Sequence, residues 1–151
     1  GRGACCARRS RRTRLQRLQV IVLDASAAVE LLLGTERGAA VEARIFDPAE
    51  TLHAPELLDV EVAQVLRRYE RARLIDAARA EAALRDLADL RLERYAHALL
   101  LPRAWELREN LTIYDAVYVA LAELLAAPLL TGDASLAAAK HRATIELIAA
   151  S

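Results

Sequence analysis

Short continuous apolar runs alternate with longer stretches of 3.6-residue periodicity along most of this chain, which predicts strands separated by helices. Val20–Leu23 is a β-branched run of the kind found in strands covered on both faces. Asp24 ends it, Ser26 is placed to cap a helix over Ala27–Leu33, and Gly34 to stop that helix. Thr35 caps a second helix, broken by Asp47-Pro48, and a short strand follows over Thr51–Ala54. From Glu56 to Arg73 the positions Leu57, Leu58, Val62, Val65, Leu66 and Tyr69 keep to one helical face, and Asp76 caps a further helix to Leu90. An edge strand is expected over Arg91–Ala96, a helix over His97–Asn110 interrupted early at Pro102, and another over Tyr114–Ala126 behind Thr112. Pro128–Leu130 reads as a buried strand, Ala134–Lys140 as a helix and Ala143–Ile148 as a last strand. This order predicts an α/β fold: a three-layer α/β/α sandwich around a parallel sheet of four to five short strands.

A length of 151 residues with 55% apolar content suits one domain with a two-sided core. No run is long and apolar enough for a membrane span and no secretory leader is visible, so a soluble, cytoplasmic protein without membrane contact is expected. The net charge of zero conceals an asymmetry. Residues 1–19 hold seven arginines and no acid, which leaves 14 basic against 21 acidic residues downstream. The expected division is a basic arm over 1–19, disordered or outside the native coding sequence, and a folded acidic domain over 20–151. Such an arm has the chemistry to touch nucleic-acid phosphates. Cys5 and Cys6 are adjacent and offer neither a disulfide framework nor a metal site.

Four carboxylates sit where core residues are expected. Asp24 lies between two apolar runs; Glu61 projects from the apolar stripe between Leu57, Leu58 and Val65; Asp115 sits beside Leu111, Tyr118 and Val119. Asp133 follows a buried strand just as Asp24 does. Each has a structural alternative: Asp24 and Asp133 as helix caps, Asp115 as a first-turn helix acid, Glu61 paired with Arg67 or Arg68. Taken together they suit one site beyond the carboxyl ends of the strands, where open α/β sheets bind ligands. Clustered carboxylates repel one another unless a cation neutralises them, and hard ions such as Mg²⁺ or Mn²⁺ accept oxygen ligands of this kind. Zinc is not expected, since no cysteine or histidine adjoins them. A divalent ion in a partly open site suits phosphodiester hydrolysis.

The stretches VIVLDASAAVELLL, APELLDVEVAQVLRR, NLTIYDAVYVALAE and PLLTGDASLAAA, in this order and spacing from Val20 to about Leu147, resemble the PIN-domain ribonucleases, and among them the VapC toxins of toxin–antitoxin pairs. The resemblance implies that Asp24, Asp115 and Asp133 hold Mg²⁺ or Mn²⁺, that Glu61 completes the cluster through water, and that Ser26 and Thr131 orient the first and last aspartates. It implies endonucleolytic cleavage of RNA by an activated water, leaving a 5′ phosphate and a 3′ hydroxyl. It also implies a homodimer and a cognate VapB-like antitoxin that plugs the acidic site with a cationic peptide. RNA would then need basic residues around the rim, for which Arg67, Arg68, Arg71, Arg73, Arg103 and Arg108 are candidates.

Two other readings compete. A catalytically inactive PIN-like module would bind RNA or antitoxin without cutting. A haloacid-dehalogenase-like phosphatase also carries an aspartate after its first strand, but requires a second acid two residues later, where this chain has Ser26. His53, His97 and His141 fit no catalytic position and read as packing or surface residues, and Trp105 as core or dimer surface.

Overall fold

A computed structural model of the chain describes residues 19–148. The arginine-rich arm expected over 1–19 therefore lies, but for Gln19, outside the described residues. Five strands, β1 (Gln19–Leu23), β2 (Glu50–Pro55), β3 (Leu92–Tyr95), β4 (Leu129–Thr131) and β5 (Ile145–Leu147), form one sheet in the order β3-β2-β1-β4-β5. Every pairing is parallel, as the alternation of strands and helices requires. The chain builds outward from β1 to β3, then crosses back to lay β4 on the other side of β1. Strand order thus reverses between β1 and β4, the switch point beyond whose carboxyl ends open α/β sheets form their ligand crevice.

Seven helices make the connections: α1 (Ala25–Leu33), α2 (Glu36–Ile45), α3 (Leu57–Arg71), α4 (Ala77–Asp89), α5 (His97–Glu106), α6 (Ile113–Leu125) and α7 (Ala134–Ala138). Leu58, Val62 and Leu66, spaced four apart on α3, are wholly or almost wholly buried. Each such side chain contributes roughly 1.5–3 kcal/mol by leaving water. In the core they join Ile21, Val22 and Leu23 of β1 and an α6 buried at every residue from Ala116 to Ala122.

The α1–α2 hairpin turns at Gly34, whose φ of 63° is the left-handed conformation that ends helices. Beyond the turn, Gly38 rests on α1 so closely that a Cβ there would lie 2.1 Å from the Glu30 carbonyl oxygen. Arg94 grips Asp59 through two nitrogens at 2.6 and 2.9 Å, tying β3 to α3. Arg44 on α2 pairs with Glu50 at the start of β2 and with Glu146 on β5.

Two local expectations are corrected. The cap of α1 is Asp24, which accepts from its neighbour's N–H, and not Ser26, which lies inside the helix. Pro102 does not interrupt α5 but lies within it, and the helix ends at Glu106 rather than Asn110. The prolyl ring removes one backbone donor, and the buried Leu100, Ala104 and Leu107 hold the helix to the core across that gap. His53 proves a satisfied packing residue, between Tyr95 Oη and Thr51 Oγ1 at 2.9 Å each.

Candidate active site

The crevice between β1 and β4 is built first around Asp24. Its Oδ1 accepts the Ala25 N–H at 2.7 Å, while Oδ2 accepts the hydroxyls of Ser26 at 2.7 Å and Thr131 at 2.6 Å. Ser26 Oγ in turn accepts the Gly132 N–H at 2.9 Å, and the Asp133 N–H donates to Thr131 Oγ1 at 3.0 Å. The loop after β4 is therefore stitched to the loop after β1 by two hydroxyls, one of them, on Thr131, completely buried.

Asp115 enters from the first turn of α6. Its N–H donates to Thr112 Oγ1 at 3.1 Å while that hydroxyl donates to Asp115 Oδ2 at 2.7 Å, a reciprocal cap that fixes the carboxylate against the helix start. Glu61 enters from α3 and accepts the Tyr118 hydroxyl on Oε2 at 2.5 Å. Arg67 and Arg68 do not pair with it. Tyr118 stands one turn beyond Asp115 on α6 and is 1% exposed.

These three carboxylates share one field. Burial raises the pKa of Asp24 against the opposing pull of its three hydrogen bonds, and the charge of Asp115 raises it further. Burial likewise raises Glu61, partly offset by Tyr118, and the charges of Asp24 and Asp115 add to the rise. Among the described residues no cation acts on either carboxylate. The Tyr118 hydroxyl is pushed far up by burial and by Glu61, so it stays a donor throughout the physiological range.

Asp133 is placed differently from the other three. It lies on the stitched loop beside Thr131, but its side chain is exposed and caps α7 by accepting the Ser135 N–H at 2.8 Å. It contributes to the shift of neither Asp24 nor Glu61.

Most of the arginines expected at the rim are engaged or remote. Arg67, Arg68 and Arg71 lie six or more residues beyond Glu61 on α3, about 9 Å or more along the axis, with Arg73 just past the helix end. Arg103 is held by Glu123 at 2.7 Å and Glu106 at 2.6 Å, and Arg108 lies over the Trp105 ring at 4.9 Å. The arginine that does meet the site is Arg37 on α2, whose Nη2 reaches the Gly132 carbonyl at 3.4 Å and whose Nη1 lies 3.5 Å from Glu30. Its Nε is buried without a partner, so part of its donor capacity is unspent. A Cβ on Gly132 would come within 2.8 Å of this guanidinium. Arg37 carries no motif, and only the folding of α2 onto the β4 loop reveals it. Tyr118 had a signal: a tyrosine at a fully buried helical position brings a hydroxyl that must find a partner.

A reversed five-stranded parallel sheet with acids gathered from three elements at the switch point defines the class. The sequence matches the PIN domain family over residues 21–142, and the chain belongs to that family. It is 44% identical over 131 residues to Ribonuclease VapC12 of Mycobacterium tuberculosis, a match covering 86% of this chain and 100% of the relative. Among solved structures, PAE2754 from Pyrobaculum aerophilum superposes with a TM-score of 0.63 at 27% identity, over 85% of this chain and 83% of that one. VapBC2 from Rickettsia felis, solved bound to a DNA fragment from its promoter, superposes at 0.64 with 14% identity, over 85% and 98%.

Proposed function

We propose that this protein is an endoribonuclease toxin of the VapC kind, dependent on Mg²⁺ or Mn²⁺ and held in check by a VapB-like antitoxin. One observation carries the reading: Asp24, Glu61 and Asp115 come from three separate elements to one crevice, where the charge of Asp115 raises the proton affinity of both Asp24 and Glu61 and, among the described residues, no cation acts on those two. A structural ion cluster would carry its own counter-charge. Among the described residues this one has none, which suits an exogenous divalent ion.

The residues fit such an ion. Asp24 and Asp115 would hold it, Glu61 would act through water, and Asp133 would join by turning from its cap at the exposed end of the loop. Among the described residues no three Asp, Glu, His or Cys side chains form a ready-made coordination sphere. The fit rests instead on donor chemistry, since hard divalent ions take carboxylate oxygens and keep several waters. When bound, such an ion polarises a phosphoryl oxygen and lowers the pKa of water. The chain does the rest. Ser26 and Thr131 keep the Asp24 carboxylate from turning, Thr112 does the same for Asp115, and Glu61 orients the attacking water. Water oxygen bonds to phosphorus as the P–O3′ bond breaks, leaving a 5′ phosphate and a 3′ hydroxyl that takes the proton. Arg37, partly exposed at the rim, offers its terminal Nη groups to a flanking phosphate.

The same acids would accept an arginine from the antitoxin. Leu99 of α5 and Leu124 of α6 line one groove and expose large apolar surface there, which supports a homodimer through that face. With RNA as substrate and an antitoxin as partner, its work would lie in the cytoplasm.

The decisive test incubates RNA with the protein and Mn²⁺, with and without EDTA, beside Asp24→Asn. Cleavage should require the metal and fall at least about 100-fold in the variant, since charge stabilisation by a bound ion is worth several kcal/mol. Cutting that survives both chelation and substitution would overturn the proposal.

A further inference from the structure

Each carboxylate of the crevice has one oxygen fixed by a hydroxyl: Asp24 by Ser26 and Thr131, Asp115 by Thr112, Glu61 by Tyr118. The first three hydroxyls lie within the loops and helix start that carry their own acids or in the loop stitched to them. The fourth is different, because Tyr118 belongs to α6 while Glu61 belongs to α3. Glutamate also has the longest side chain of the acids here and one more rotatable bond than aspartate, so it gains most from an external anchor. The anchor itself has almost no freedom, being 1% exposed within the α6 segment buried from Ala116 to Ala122.

We infer that Tyr118 is a positioning residue for RNA cleavage: its hydroxyl, fixed in the core one turn beyond Asp115, holds Glu61 Oε2 and leaves Oε1 directed to the crevice. The inference rests on the metal-dependent reading of the acids. Tyr118 touches neither RNA nor ion and acts only through Glu61, coupling the carboxylate of α3 to the helix that supplies Asp115. Without the hydroxyl, Glu61 is free to swing toward solvent, since its side chain is only half-buried.

Tyr118→Phe deletes one oxygen and preserves the ring that fills the core. Mn²⁺ binding, followed by calorimetry on the full chain without RNA, should weaken about 10-fold, and kcat should fall about 10- to 100-fold with KM for RNA nearly unchanged, the usual cost of losing a group behind a metal ligand. Both losses should vanish in the Glu61→Gln background, because a residue acting through Glu61 has nothing left to position. Glu61→Asp, one methylene too short to keep the bond, should reproduce the Tyr118→Phe loss with the core untouched. Full metal affinity in Tyr118→Phe, or equal losses with and without Glu61, overturns the role of Tyr118. Failure of the wild-type protein to bind Mn²⁺, or undiminished Mn²⁺ affinity and cleavage in Glu61→Gln, instead overturns the reading of the acids.

Discussion

The two ends of α6 hold carboxylates in opposite circumstances. Toward its end, Glu123 is 8% exposed and lies between Arg103, at 2.7 Å, and Arg142, whose backbone N–H donates to it at 2.8 Å. The Arg103 guanidinium holds its pKa below the usual carboxylate range. At the start, Asp115 and Tyr118 lie beside Asp24 and Glu61, two carboxylates that burial and the charge of Asp115 push the other way. About 12 Å of helix separates the two arrangements. The difference teaches that burial alone does not mark a functional acid. The Glu50 and Glu123 side chains are only 5% and 8% exposed, yet each brings its own arginine and serves to tie elements together. A buried acid left without a counter-charge is the one waiting for a ligand.

Substitutions at the two ends should therefore fail differently. The largest effect is expected from Asp115→Asn, with cleavage reduced about 100- to 1,000-fold, some 3–4 kcal/mol of barrier, and the thermal midpoint little changed. Undiminished growth inhibition on expression of this variant without antitoxin would remove Asp115 from the site. Arg103→Ala should do the reverse, costing about 2 kcal/mol of stability in urea while the folded fraction still cuts RNA. That is less than the ~3–5 kcal/mol of a fully buried broken pair because Arg103 is partly exposed and Arg142 remains.

The pH dependence of the two ends should also diverge. Glu123 has a depressed pKa, so its contribution is present above the ordinary carboxylate range and disappears as pH falls through its folded value. Glu61 has a raised pKa, so in the metal-free protein its charge weighs on stability above that value, and the burden lifts as pH falls. Glu61→Gln should consequently raise the midpoint of the metal-free protein by a few degrees near pH 7, with the gain shrinking on acidification. A gain that grows toward low pH would reverse the assigned direction. Smallest is Arg37→Ala, expected to weaken RNA binding by about 1 kcal/mol and lower the salt slope by about one phosphate. An unchanged slope would take Arg37 off the RNA.

The fold was largely legible because its signals are local. β-branched runs, Thr35, Asp76 and Thr112 as caps, and the stripe through Leu58, Val62 and Leu66 each act within a turn or a strand. Pro102 was misread because a local rule, the missing donor, yields to packing by Leu100 and Ala104. Of the site, Asp24, Glu61 and Asp115 could be seen as acids in apolar surroundings, and the structure brings them together. The Tyr118–Glu61 bond and the approach of Arg37 to Gly132 join residues 57 and 95 positions apart, a relation that no periodicity encodes. The side chain of Asp133, turned to its own helix, answers to a local cap that competes with the crevice for the same oxygen.

Gly38 has a consequence for how the rim can diversify. Because α2 lies backbone to backbone on α1 there, even a single methyl group would act as a wedge between the helices, and Arg37 on the adjoining residue would be levered off the β4 loop with them. The outer side chains of α2 are thus free to vary, but only while position 38 carries no side chain.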